Sequence, residues 1–240
     1  MDMLKGHPGI STGAELFQDY DNYLGADDYR KSPAYLESYH HYASRPARKA
    51  AAFIFPRKLL IHRYLNDFFS SSQSKARGFK LMHNHLNEFF EIERYIKEKN
   101  IAVIHLYRSN LLRTYVSTRI ARKTKVWTVP QTHKPVPVKI FVDIKDLRRF
   151  IAKVKGNISK FRDRLGGVKY LEITYESLYN EIAEGTSGVL GFLGVEQRDL
   201  APGTGRMNPF PLNVLIENYE EVRAALRDTG YGPYLEEQDR

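Results

Sequence analysis

An arginine and a serine nine residues apart follow a nearly continuous apolar stretch and could bind an anion. Arg108 comes directly after Ile101–Tyr107, a run rich in β-branched residues that is typical of a buried parallel strand. Arg113 and Ser117 are four positions apart, so on a helix they share one face. An arginine and a hydroxyl beside the carboxyl end of a strand suit a phosphate monoester. The alternative is a solvated helix face without a ligand.

The residues after Arg108 predict a helix that starts beside it. Ser109 or Asn110 would cap this helix, which the sequence predicts over 110–124. The free N–H groups of a helix start bind anions, and the Arg108 guanidinium adds a pair of donors that fits a phosphate. The apolar stripe that would bury the helix consists of Leu112, Val116 and Ile120. The segment therefore predicts an anion site between a strand and a helix.

Strands alternate with helices along the rest of the chain. The stretches that predict strands are Gly78–Met82, Ile101–Tyr107 and Val168–Thr174. Helical patterns begin at Pro56 and cover 86–99, 110–124, 145–164, the residues after Glu176, and 212–227. This alternation predicts an α/β fold with three layers, a parallel sheet with helices on both faces and Ile101–Tyr107 as an interior strand. Ligands of such sheets bind beyond the carboxyl ends of the strands, where Arg108 lies.

Composition restricts the class of protein and of partner. The 240 residues suffice for a single domain over 1–240, and no apolar run approaches the roughly 18 residues of a membrane span. Without cysteine the chain has no disulfide, thiolate metal site or cysteine nucleophile. The net charge of +9 favours anionic partners such as nucleic acids, membrane headgroups or phosphorylated and sulfated small molecules. No recognition pattern supports nucleic acid and no secretory signal is evident, so we expect a cytoplasmic protein that does not bind nucleic acid.

Two histidine pairs are the candidate metal ligands. His83 and His85 flank an asparagine, and His40 and His41 are adjacent. Neither pair has a carboxylate at ligand spacing, so we expect no bound metal.

Six short motifs together resemble sulfotransferases that use 3′-phosphoadenosine-5′-phosphosulfate (PAPS). A strand followed by Arg108, Asn110 and Ser117 is similar to the element of that family that binds the nucleotide 3′-phosphate. The other motifs, in the same order, are similar to parts of this family, including its trehalose and nodulation-factor members. They are His7–Ile10 with Gly13–Phe17, Gly78–Met82, Trp127, Tyr175–Leu178, and Asn208–Leu212 with Asn218 and Tyr219.

The resemblance implies a function and a role for four residues. It implies a P-loop NTPase-like fold that transfers a sulfuryl group from PAPS, the nucleotide donor, to a hydroxyl of a carbohydrate or glycolipid acceptor. Arg108 and Ser117 would hold the 3′-phosphate of the nucleotide. Glu15 would be the general base that takes the hydroxyl proton, and Arg206 would contact the nucleotide or the sulfated product. The alternatives are an exposed loop acid for Glu15 and a surface arginine for Arg206.

The glycine-rich loop that binds the 5′-phosphosulfate in this family has no counterpart in the sequence. Gly9–Gly13 has a suitable composition, but no apolar strand precedes it, and it matches a segment that lies after the family's first helix. We therefore expect an N-terminally truncated sulfotransferase fold, through a miscalled start, a fragment or a true loss of catalysis. The alternative function is an inactive protein of the same fold that binds nucleotide or sulfated glycan.

Overall fold

The structure, a computed structural model, describes residues 3–18, 36–46, 48–49 and 56–236 and combines helices with short parallel strands. The strands are β1 (Ile10–Thr12), β2 (Ala76–Gly78), β3 (Val103–Tyr107) and β4 (Tyr170–Thr174). The α-helices are α1 (Tyr39–Ser44), α2 (Arg57–Ser70), α3 (His83–Glu88), α4 (Phe90–Glu98), α5 (Leu111–Thr124), α6 (Ile144–Arg164), α7 (Tyr175–Asn180), α8 (Ile182–Leu193), α9 (Leu212–Leu215) and α10 (Tyr219–Leu226). The α/β class predicted from the sequence is confirmed.

The four described strands form two separate parallel pairs. β1 pairs with β2, and β3 pairs with β4 in a register that aligns Val103 with Tyr170 and Tyr107 with Thr174. Within the described ranges β3 has a strand on one side only, and Leu106 is 43% exposed. The parallel pairing of this strand agrees with the prediction. Its predicted interior position is wrong for the described residues, because no second strand covers its other edge.

The elements predicted at Gly78–Met82 and over 86–99 have different bounds in the structure. The strand predicted at Gly78–Met82 is shifted to β2, because the three residues of β1 pair in register with Ala76–Gly78. The helix predicted over 86–99 is divided into α3 and α4 at Phe89, whose φ of −121° and ψ of 72° are not helical. The Phe89 ring is buried instead, with its centroid 5.2 Å from that of Phe17. Core packing therefore overrides the helical pattern at this residue.

Side-chain hydrogen bonds to the backbone explain where α6 begins and where one predicted helix breaks. Asp143 starts α6, because its side chain accepts a hydrogen bond from the backbone of the first turn. The helix predicted over 212–227 is divided into α9 and α10. Between them the Asn218 side chain accepts from the N–H of Val142 and donates to its carbonyl, each at 3.0 Å. These bonds fix the chain before α6 against the start of α10.

Apolar side chains are buried in three clusters. One joins α1–α4 to the end of α6, a second joins α5, α6, α9 and α10, and a small third lies between β1 and α8. The apolar stripe predicted on α5 belongs to the second cluster, and its residues Leu112, Val116 and Ile120 are at most 2% exposed. No described helix is long and apolar enough to cross a membrane.

Candidate anion-binding site

The pairing of β3 with β4 places Arg108 and Tyr175 side by side. Because the two strands are parallel and in register, the residue after each strand emerges at the same edge. The central guanidinium carbon of Arg108 lies 3.9 Å from the centroid of the Tyr175 ring, which is a cation–π contact. Arg108 is half-buried, and no carboxylate in the described part of the chain forms an ion pair with it. The ring supports the arginine while leaving its N–H donors for another partner.

The loop that carries Arg108 is held by a buried carboxylate. Glu176 is 7% exposed and accepts hydrogen bonds from the backbone N–H groups of Ser109 at 2.9 Å and Asn110 at 3.2 Å. The prediction that the helix start offers its free N–H groups to an external anion is therefore wrong for these two groups. An acidic side chain of the protein already occupies the position that the anion would take.

Asn110, one of the two caps that the sequence predicts, caps α5. Its side-chain oxygen accepts from the N–H of Arg113 at 3.0 Å, which satisfies a donor of the first turn. Its amide nitrogen donates to the carbonyl of Tyr234 at 3.1 Å. The asparagine thus fixes both the start of α5 and the C-terminal segment of the described chain.

Arg108, Ser117 and Arg206 line one cavity, together with Arg113. The cavity has a volume of about 200 Å³ and lies between the start of α5, the segment after α5 and residues 204–208. None of the described residues that line it is acidic. Three guanidinium groups and a hydroxyl around a small cavity favour an anion with several oxygen atoms. The structure therefore brings three of the four predicted site residues together.

A stacked pair of tyrosines connects two of these arginines. The rings of Tyr175 and Tyr179 lie on one face of α7, with centroids 5.8 Å apart and planes inclined by 19°. The guanidinium of Arg206 lies over Tyr179 at 4.2 Å, as Arg108 lies over Tyr175. We call Arg108, Tyr175, Tyr179 and Arg206 the arginine–tyrosine ladder. It sets the separation of the two arginines.

Arg113 holds the far wall of the cavity. It is 9% exposed and donates to the carbonyl groups of Asn208 at 3.2 Å and Phe210 at 3.1 Å. The side-chain amide nitrogen of Asn208 is buried at this wall and has no hydrogen-bond partner within the described chain. A buried donor without a partner is costly, and a ligand oxygen in the cavity would satisfy it.

Residues 204–208 are packed tightly against the segment that follows α5. The N–H of Gly205 donates to the carbonyl of Val129 at 2.9 Å. A Cβ atom at Gly205 would lie 2.7 Å from the carbonyl oxygen of Pro130, so only glycine allows this approach. Trp127, which is 54% exposed, forms part of the cavity rim beside this contact.

Glu15, the predicted general base, lies elsewhere in the described structure. It follows β1 and accepts a hydrogen bond from the ammonium group of Lys80 at 2.6 Å. It is not among the residues that line the cavity. Gly9–Gly13, the nearest match to a phosphate loop, contains β1, whose backbone is paired with β2. The described residues therefore show no backbone cradle for a second phosphate there.

Of the histidines singled out by the sequence, His83 packs against His105 and shares a hydrogen bond with it. Within the described ranges no group of three metal-ligating side chains is present. The Nε2 atoms of His83 and His105 are 3.1 Å apart, and the Nδ1 atom of His105 is 2.6 Å from the hydroxyl of Tyr170. Burial lowers the pKa of His105 to about 4, and it also lowers that of His83. Both are therefore neutral at physiological pH.

Comparison with known proteins adds no relative. No protein-family model, curated protein or solved structure matches the chain.

Sequence reasoning missed the residues that support the site. Tyr175 and Glu176 belong to the Tyr175–Leu178 motif, and its resemblance to the family implies no role for either side chain. Two features of the sequence pointed to these residues. Glu176 is an acid two positions after a predicted strand, and Tyr175 and Tyr179 are spaced to share one face of a helix. The role of Glu176 could not be read from these signals, since its partners are 66 and 67 residues away.

Proposed function

We propose that the cavity binds the 3′-phosphate of PAPS, and that the chain transfers the sulfuryl group of PAPS to a hydroxyl of a carbohydrate or glycolipid. The observation that carries the proposal is the convergence of Arg108, Ser117 and Arg206 on one cavity whose described lining has no acid. A phosphate monoester has enough oxygen atoms to accept from both arginines and the serine together. The volume of about 200 Å³ suits the phosphate end of a nucleotide and leaves the rest outside.

The proposal also includes a specific fold within the α/β class. We propose that the two strand pairs belong to a three-layer parallel sheet of the P-loop NTPase-like sulfotransferase type. It is supported by the parallel pairing of β3 with β4 and by the anion-type cavity at their carboxyl edge.

In the proposed reaction an acceptor oxygen attacks the sulfur of PAPS. The bond between sulfur and its bridging oxygen breaks, 3′,5′-adenosine bisphosphate leaves, and a base takes the acceptor proton. Arg108 and Ser117 bind the end of the nucleotide that does not react, and so orient the donor. We propose Glu15 as the base, supported only by the sequence resemblance.

Binding without turnover is the second candidate, and the surroundings of Glu15 favour it. Its carboxylate is engaged by Lys80, and it does not line the cavity. A protein with these features would bind the nucleotide, or a sulfated glycan, and release it unchanged. Incubation with PAPS labelled in the sulfate group and a panel of glycans separates the two candidates. Labelled glycan supports transfer, whereas nucleotide binding without labelled glycan supports the second candidate.

Calorimetric titration with 3′,5′-adenosine bisphosphate tests the site itself. Arg108→Gln should weaken binding by about 10- to 150-fold, the effect of losing about 1.5–3 kcal/mol from hydrogen bonds to a charged group. Arg119→Gln is the matched control, because Arg119 is exposed on the same helix and does not line the cavity. Adenosine 5′-monophosphate, which lacks the 3′-phosphate, should bind both variants equally. Equal affinity of Arg108→Gln and Arg119→Gln for the bisphosphate would refute the assignment.

A further inference from the structure

A long stretch around α5 is positively charged and contains no acidic residue. Residues 99–142 include nine Lys and Arg and no Asp or Glu, whereas the average over the chain would place about five acids there. Two of the nine, Arg108 and Arg113, line the cavity. Six others lie in or after the second half of α5 and need a separate explanation.

These six cations are exposed. They are Arg119, Arg122, Lys123, Lys125, Lys134 and Lys139. None of them forms an ion pair within the part of the chain that the structure describes. The ammonium group of Lys123 donates to the carbonyl of Lys139 at 2.9 Å, which brings the end of α5 next to the segment before α6. No carboxylate of the described chain therefore neutralises these charges.

Large exposed apolar side chains are concentrated in the same segment. Nine such residues occur among the described residues, and four of them fall within 126–141. The four are Val126 (42% exposed), Trp127 (54%), Val136 (72%) and Phe141 (58%). We call these four side chains and the six cations the basic–apolar surface. Single exposed apolar residues are ordinary, but a group of them among unpaired cations indicates an interaction site.

We propose that the basic–apolar surface binds the face of an anionic lipid bilayer. Each Lys or Arg near such a face contributes roughly 1 kcal/mol of attraction, and the apolar side chains can enter the headgroup region. Tryptophan is enriched at this depth because its ring is apolar and its N–H is polar. A nucleic acid would also attract the cations. However, a nucleic acid would make no stacking contact with the exposed valines, because only aromatic side chains stack on bases. The apolar members therefore favour the bilayer.

The surface adjoins the candidate site, because Trp127 belongs to both. Its side chain is part of the cavity rim and one of the four apolar side chains of the surface. A protein bound in this way would open its cavity beside the bilayer. The acceptor would then be a glycolipid and not a soluble carbohydrate, a conclusion that rests on the proposed function. Bilayer binding itself needs no sulfuryl transfer, so its test does not depend on the enzyme assay.

The chain provides its own probe of this binding. Trp127 is the only tryptophan, so intrinsic tryptophan fluorescence reports on this surface alone. Vesicles of phosphatidylcholine with phosphatidylglycerol should shift the emission to shorter wavelength, and brominated lipid should quench it. Vesicles of phosphatidylcholine alone should have much smaller effects, and high salt should reverse the binding. Binding that leaves the emission unshifted and unquenched would overturn the proposal, because Trp127 would then not be at the bilayer.

Two pairs of variants separate charge from apolar contact. Arg122→Gln with Lys125→Gln should lower the vesicle partition coefficient about 30-fold, which corresponds to about 1 kcal/mol for each cation. Arg63→Gln with Lys153→Gln is the matched control, since both residues are exposed and lie outside the surface, and it should have less than about a twofold effect. A similar loss in the control pair would contradict a specific surface. Unchanged circular dichroism of each variant confirms that the fold is intact.

The second pair, Val136→Ser with Phe141→Ser, should reduce partition severalfold and leave binding to an RNA oligonucleotide unchanged. The proposal is wrong if this pair has no effect on vesicles while the oligonucleotide binds the parent chain more tightly than anionic vesicles do. The basic–apolar surface would then be a nucleic-acid site.

Discussion

Replacing Glu176 with glutamine tests whether this buried carboxylate positions the anion site or competes with the anion. Glutamine keeps the size of the side chain but presents an NH₂ group to one of the two backbone N–H donors. A hydrogen bond from Ser109 or Asn110 to a charged acceptor is lost, and a buried N–H is left unpaired. Each effect is worth about 1–3 kcal/mol, so together we expect them to lower the free energy of unfolding by about 2–6 kcal/mol.

The same substitution should weaken ligand binding, because Arg108 precedes the two N–H groups that Glu176 holds. Without Glu176 the loop that carries Arg108 would adopt several conformations, and only a fraction of the molecules would be able to bind the ligand. We therefore expect the affinity for 3′,5′-adenosine bisphosphate to fall about tenfold. Urea unfolding measures the first effect and calorimetric titration the second. Glu184→Gln is the matched control, since Glu184 is an exposed acid on the neighbouring helix α8 and should change neither quantity.

Tighter binding by Glu176→Gln would refute this reasoning. It would mean that the ligand anion takes the place of the carboxylate at the start of α5, as the sequence alone predicts. Removing the negative charge would then free the N–H groups of Ser109 and Asn110 for the ligand.

Two further predictions concern the neighbourhood of the site. The pKa of His105 is about 4 in the folded chain and near the usual 6.5 in the unfolded chain. Between these two pH values the unfolded chain binds more protons than the folded chain. The free energy of unfolding therefore falls as the pH is lowered from 6.5 towards 4. Urea unfolding should show a loss of about 2 kcal/mol from pH 7 to pH 5 that His105→Gln removes; an unchanged pH dependence in the variant would contradict the burial of His105. Gly205→Ala should lower the free energy of unfolding by about 1–3 kcal/mol, because its Cβ would meet the carbonyl oxygen of Pro130. Gly156→Ala is the control, because a Cβ atom added at Gly156 would meet no other atom within 4 Å, and it should raise the free energy of unfolding by about 0.5–1 kcal/mol. A similar change for both substitutions would argue against the close approach of Gly205 to Pro130.

Local patterns predicted the element around Arg108 well. The apolar run before it, the cap at Asn110 and the spacing of Arg113 and Ser117 are all properties of neighbouring residues. Each of them is realised in β3 and α5 within two residues of the predicted bounds. Strand and helix periodicity operate over the same short range, which is why these predictions succeed.

Contacts between distant segments account for what the sequence did not predict. Phe89 interrupts a helical pattern because its ring is buried against Phe17, 72 positions earlier in the chain. Glu176 caps the loop after β3 only because β4 pairs beside that strand. No local property of either residue encodes these partners, and a single sequence offers no other source for them.

Under the proposed function, the protein should be more stable with an anion in the cavity than without one. Arg108 and Arg206 are supported by aromatic faces, and Arg113 by carbonyl groups, so none of the described lining residues supplies a neutralising carboxylate. The buried amide nitrogen of Asn208 lacks an acceptor within the described chain, which is costly. The proposed phosphate would offset this cost by accepting from the Asn208 amide nitrogen. A ligand at a hundred times its dissociation constant stabilises the folded state by about 2.7 kcal/mol through mass action alone. A lining without acid among its described residues is therefore what the proposed binding of an anion requires.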